Sequence, residues 1–68
     1  MKKLEQYLTK RVKIISISDR TYIGKVTGIV PAQDNEPEID ELSILNELDN
    51  RNYSLFENEI KSIDIISN

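Results

Sequence analysis

The stretch RVKIISISDRTYIGKVTGIV, residues 11–30, decides the fold. Its first part is rich in β-branched residues, with Val12, Ile14 and Ser16 on one parity and apolar residues also on the other, which favours a strand covered on both faces. The sequence SDR at 18–20 has turn composition, and a second β-rich run follows it. The stretch therefore predicts two consecutive strands, at about 11–18 and about 21–30.

Two glycines, Gly24 and Gly28, lie inside the second predicted strand. Glycine weakens a strand interior, so its presence there indicates a sharp bend or a close approach of two backbones. A small barrel requires strands that curve strongly. We therefore expect this strand to be bent.

The sequence predicts a short helix before this stretch and three strands after it. Leu4, Tyr7 and Leu8 have the i, i+3, i+4 spacing of an amphipathic α-helix at about 2–10. Strand patterns recur at about 41–46, about 52–57 and about 60–66, with no connection long enough for a parallel crossover. The prediction is a mainly β fold over residues 1–68: a short N-terminal α-helix followed by a five-stranded, strongly bent antiparallel barrel. The residues expected to be buried are Leu4, Leu8, Val12, Ile14, Val26, Leu42, Ile44, Leu55, Ile60 and Ile63.

Composition excludes several classes of protein. The 68 residues contain no cysteine and no histidine, so disulfides are ruled out, a zinc site is disfavoured, and we expect no cofactor or metal. Since so small a core stabilises weakly, self-association is the remaining way to gain stability. No apolar run approaches the ~20 residues of a membrane helix, and the start MKKLEQYL lacks the apolar region of a signal peptide. A cytoplasmic protein without membrane association is expected.

Charge divides the chain into two halves, although the net charge is only −3. Residues 1–25 hold seven basic and two acidic residues, a net +5, whereas residues 26–68 hold two basic and ten acidic residues, a net −8. Such halves indicate either a basic binding face or complementary surfaces on neighbouring copies. Within the acidic half, PAQDNEPEIDE at 31–41 lacks the glycine and the spaced glutamate of a calcium loop, so we interpret it as a solvated connection between strands.

The stretches VKIISISDRTYIGKVTGI (12–29) and FENEIKSIDII (56–66) resemble the two motifs of the Sm-like (LSm) family of small RNA-binding barrels. Tyr22, Gly24, Val26 and Ile29 occupy the aromatic, glycine and apolar places of the first motif. The resemblance implies that the predicted five-stranded barrel is of SH3-like or Sm-like type, that it forms ring-shaped oligomers by pairing its last two strands, and that it associates with RNA.

The RNA-contacting residues of both motifs are not matched. Val30 occupies the place of the first motif's aspartate, and the turn Glu57–Glu59 carries carboxylates where the second motif has Arg–Gly. Carboxylates repel phosphate, so the usual base pocket is not predicted, and any RNA contact should be electrostatic.

Two functional classes stay open for a chain with no convincing catalytic motif, which we expect not to be an enzyme. The first is an Sm-like, homo-oligomeric, RNA-associated scaffold. Its basic N-terminal face would comprise Lys2, Lys3, Lys10, Arg11 and Lys13, and its oligomer interface Tyr53, Phe56, Ile63 and Ile65. The second is an SH3-like module that binds another protein, or an acidic inhibitor of a nucleic-acid-binding partner, with no RNA binding of its own.

Overall fold

The fold is mainly β, built on one antiparallel sheet. The computed structural model describes residues 4–36 and 38–67. Five strands run in these ranges: β1 (Arg11–Ser16), β2 (Thr21–Val30), β3 (Glu41–Asn46), β4 (Arg51–Phe56) and β5 (Ile60–Ser67). Short 3₁₀ turns occupy Leu4–Tyr7, Ala32–Asp34 and Glu57–Glu59. The prediction of five antiparallel strands is confirmed.

The strand order is β4-β3-β2-β1-β5, with every neighbouring pair antiparallel. The sheet is open, so the closure implied by the word barrel is not seen. β4 and β5 form its two edges, and the 3₁₀ turn Glu57–Glu59 connects them. Strand starts and ends differ from the predicted ones by at most two residues, most at β1, which ends at Ser16 because the chain turns there and Asp19 takes a left-handed conformation (φ 65°).

The predicted N-terminal α-helix is wrong over the described residues, where Leu4–Tyr7 is a single 3₁₀ turn; residues 2 and 3 lie outside them. The helix ends early because the chain pairs with β2 instead. The Thr9 N–H donates to Val26 O at 3.0 Å, and Lys10 O accepts from Val26 N–H at 3.0 Å. A helix of this length is only marginally stable in isolation, so pairing of residues 9 and 10 with β2 is favoured over continuation of the helix.

The core lies on one face of the sheet. Alternate residues of β1, β2 and β3 are buried, and Leu4 closes the cluster from the N-terminal turn. The buried hydrophobic residues are Leu4, Val12, Ile14, Tyr22, Val26, Leu42, Ile44 and Leu55. Burial is confirmed for seven of the ten predicted core residues; Ile60 and Ile63 are only partly buried, and Leu8 is 42% exposed. The predicted burial of Leu8 is wrong because a 3₁₀ helix has three residues per turn. Tyr7 therefore lies on the same side of the turn as Leu4, and Leu8 points away from the core.

β2 bends where its glycines lie. A Cβ atom on Gly24 would lie 1.8 Å from the carbonyl oxygen of Leu45, so only glycine allows this approach to β3. Val26 pairs with Ile44 and Gly28 pairs with Ser43, which leaves Thr27 as an extra residue in β2. Such a bulge increases strand curvature.

No helix in the described ranges is long and apolar enough to cross a membrane.

Candidate functional site

The basic residues predicted to bind RNA are partly brought together. Arg11 and Lys13 lie on the exposed face of β1, and Lys25 of β2 is directly opposite Arg11 in the register. Lys10 is half-buried where the chain joins β2. Lys2 and Lys3 lie outside the described residues. The described part of the predicted face is therefore a short row at β1 and β2.

Two acidic residues lie beside this row and reduce its charge. Glu47, in the turn after β3, accepts from Arg11 Nε at 2.6 Å and from Arg11 Nη2 at 2.9 Å. These hydrogen bonds hold the pKa of the Glu47 carboxyl below its ordinary value. Asp64 of β5 is opposite Lys13. Phosphate must compete with these carboxylates, so the row is a weaker anion site than the sequence suggests.

The residues predicted to form an oligomer interface all lie on the two edge strands. Tyr53 and Phe56 belong to β4, and Ile63 and Ile65 belong to β5. The β3–β4 register is unbroken, so Phe56 lies on the face opposite the buried Leu55 without a bulge. Ile65 is 47% exposed. Each edge pairs on one side only within the described chain, which leaves backbone donors and acceptors available on the other.

The side chain of Tyr53, on the edge strand β4, also packs against the core. Its ring meets Tyr22 edge to face, with centroids 5.0 Å apart. The Arg20 guanidinium lies 5.6 Å from the Tyr22 ring centre and 5.8 Å from that of Tyr53. The Tyr53 hydroxyl donates to Asp49, and this bond lowers the pKa of the Asp49 carboxyl. Tyr53 is half-buried and links the turns beside β4 through Asp49 and Arg20, and its place in an oligomer interface stays a prediction.

A cleft lies between the N-terminal 3₁₀ turn and the connection from β2 to β3. Its volume is about 440 Å³. It is lined by Glu5, Ile29, Pro31, Ala32, Gln33 and Asp40. The apolar residues come from the end of β2 and the start of the connection, and the two carboxylates come from opposite sides. Sequence reasoning missed this site because Glu5 and Asp40 are far apart in the chain.

Hydrogen bonds within the connection fix the walls of the cleft. Asp40 accepts from Ala32 N–H through Oδ1 at 2.7 Å, and its carbonyl accepts from Glu57 N–H at 2.8 Å. Asn35 Nδ2 donates to Ile39 O at 3.0 Å and to Glu41 Oε1 at 3.3 Å. The exposed acids Asp34, Glu36 and Glu38 fit the interpretation of this segment as a solvated connection. Asn35 and Asp40 do not fit it, because they are half-buried and hydrogen-bonded.

Comparison with known proteins finds no matching family model, no matching curated protein and no matching solved structure.

Proposed function

We propose that the chain is a non-enzymatic, Sm-like cytoplasmic protein that assembles into homo-oligomers through β4 and β5 and associates with RNA. The observation that carries this proposal is the open sheet order β4-β3-β2-β1-β5. One copy offers β4 as an edge and the next offers β5, which is a head-to-tail contact between two different surfaces. Such a contact repeated around an axis closes a ring when the rotation permits.

The side chains of the edges support the same proposal. Phe56 is half-buried and lies on the face of β4 opposite that of Leu55, and Ile65 and Ile66 are 47% and 43% exposed at the end of β5. Exposed apolar edge strands favour pairing with another chain. Tyr53, Phe56, Ile63 and Ile65 are therefore proposed as interface residues.

RNA would contact the row at β1 and β2. Lys13 and Lys25 are exposed there, and Lys2, Lys3, Lys10 and Arg11 complete the proposed face. Because the base-contacting residues of the Sm-like motifs are not matched, binding should be electrostatic and should weaken steeply with salt.

Fluorescence anisotropy with a labelled single-stranded RNA tests the RNA association. The double variant Lys13→Gln, Lys25→Gln should lose most of the affinity. Lys61→Gln is the control, since Lys61 forms an ion pair with Asp19 at 3.1 Å, away from the row. Equal loss in the control would refute the row as the binding face, and no binding by the wild type at low salt would refute the RNA role.

A second function is favoured by the acidity around the cleft. No lysine or arginine occurs between residues 26 and 50, and Glu47 already engages Arg11. Under this alternative the chain is an SH3-like module that binds a protein, or an acidic inhibitor of a nucleic-acid-binding partner. Its test is the same titration: a protein of this kind should show no RNA binding at any salt concentration.

A further inference from the structure

The cleft between the N-terminal 3₁₀ turn and the β2–β3 connection is lined by both apolar and polar residues. Ile29, Pro31 and Ala32 supply apolar surface, and Glu5 and Asp40 supply carboxylates. Its volume of about 440 Å³ falls within the roughly 300–1,000 Å³ typical of ligand pockets, which are mostly apolar with a few placed polar groups.

We propose that this cleft binds an arginine or lysine side chain from a basic segment of another protein. Such a side chain has an aliphatic stem that packs on apolar surface and a charged head that needs acceptors. The stem would lie on Ile29, Pro31 and Ala32, and the head would lie between the two carboxylates. The inference goes beyond assembly and RNA association and holds whether or not either occurs.

One of the two carboxylates of the cleft, that of Asp40, is preorganised and can still accept a hydrogen bond. Asp40 is held by the bond from Ala32 N–H to Oδ1, which leaves Oδ2 to accept from a ligand. Among the described residues, the ion pairs are Arg11–Glu47 and Lys61–Asp19, so neither Glu5 nor Asp40 is neutralised by one. A rigid carboxylate loses little conformational freedom when a cation binds.

Charge complementarity selects the occupant. The connection adds the exposed acids Asp34, Glu36 and Glu38 around the cleft, so a basic segment is attracted and nucleic acid is repelled. A metal ion is a poorer fit, because the described residues contain no group of three or more metal-ligating side chains. Arginine should bind more tightly than lysine, since its planar fork can donate to both carboxylates and to the Gln33 carboxamide.

The test is a titration of a fluorescein-labelled peptide of alternating arginine and alanine, followed by anisotropy, with a glutamine-for-arginine peptide as the negative probe. The double variant Glu5→Gln, Asp40→Asn should weaken binding by about tenfold or more, the scale of losing charge-assisted hydrogen bonds. Asn at position 40 keeps an acceptor for Ala32 N–H, so the fold should be retained, and a thermal melt checks this.

The matched control is Asp34→Asn, Glu38→Gln, which removes the same charge from exposed positions of the same connection. It should weaken binding no more than about twofold, as expected for exposed charges. Equal weakening by the two double variants would show a diffuse charge effect and overturn the proposal. Equal binding of the neutral peptide would overturn it as well, as would a cleft variant that binds like the wild type.

Discussion

At Gly24, the carbonyl oxygen of Leu45 occupies the place where a side chain would begin, whereas nothing lies within 4 Å of a Cβ atom built on Gly28. Neither glycine has a positive φ, so space alone distinguishes them. We expect Gly24→Ala to lower the free energy of unfolding by about 1–3 kcal/mol, the cost of overpacking. Gly28→Ala should change it by less than about 1 kcal/mol. Urea unfolding of both variants measures the difference, and equal costs would contradict the close approach of the Leu45 carbonyl to Gly24.

Burial also separates two isoleucines that have the same chemistry. Ile44 is fully buried at the centre of β3, while Ile60 is partly buried at the start of β5. Ile44→Ala should cost about 2–5 kcal/mol, as large-to-small changes in a core do. Ile60→Ala should cost clearly less, because less contact area is removed. Chemical denaturation of the two variants measures both costs. An Ile60→Ala variant as unstable as the Ile44→Ala variant would show that β5 is more buried than in this structure.

Two exposed carboxyls make stability depend on pH. Hydrogen bonds from Arg11 and from the Tyr53 hydroxyl lower the pKa values of Glu47 and Asp49. A carboxyl whose pKa is lower in the folded state stabilises the fold above its unfolded pKa and loses this contribution as the pH falls through the folded pKa. The urea midpoint should therefore drop below about pH 4, where unfolded carboxyls titrate.

The double variant Glu47→Gln, Asp49→Asn tests whether these two carboxyls cause the loss of stability in acid. Its midpoint should fall less steeply on acidification than that of the wild type, and the two should converge at low pH. The effect should be modest because both groups are exposed. An unchanged pH profile in the variant would assign the acid sensitivity to other carboxyls.

Among the elements, the β2–β3 connection contains both structural and dispensable polar groups. Asp34, Glu36 and Glu38 are exposed, so neutralising all three to Asn or Gln should change stability by less than about 1 kcal/mol. Asn35→Ala removes the donor to Ile39 O and should cost about 0.5–1.5 kcal/mol. Thermal denaturation compares them. A triple variant less stable than the Asn35 variant would show that the acids hold the connection in place.

The strands could be predicted from sequence because alternation and turn residues are local signals. β2 and β3 have the predicted residue ranges, and Gly24 marks a close approach. The N-terminal helix was mispredicted, because its fate depends on Thr9 and Lys10 bonding to Val26, a contact that local spacing does not contain. A nine-residue pattern with only a few apolar positions could not outweigh it.

The candidate sites were harder to predict for the same reason. Arg11 and Glu47 lie 36 residues apart, so the neutralisation of the basic row appears only after β1, β2 and β3 are assembled. The cleft likewise joins Glu5 to Asp40 across the fold. Charge composition indicated basic and acidic halves, but the fold places Glu47 of one half directly on Arg11 of the other.

At the scale of the whole molecule, the proposed assembly through the two edges of the open sheet would stabilise so small a chain. Assembly through β4 and β5 would cover Phe56, Ile65 and Ile66 and complete the hydrogen bonding of both edges. Ile65→Lys places a charge in this contact and should convert the assembly to monomers. Leu48→Lys is the matched control, since Leu48 is 64% exposed in the turn between β3 and β4. Native mass spectrometry measures the oligomeric state of both variants. If only Leu48→Lys dissociates the assembly, the interface lies at that turn and not at β5.

Sedimentation equilibrium of the wild-type chain tests the central claim, that the two edge strands join copies of this protein. At about 100 µM, a contact of even micromolar affinity would be largely formed. The predicted result is a single species whose mass is at least twice 7.9 kDa and an integral multiple of it. A mass of 7.9 kDa at this concentration would contradict assembly through β4 and β5.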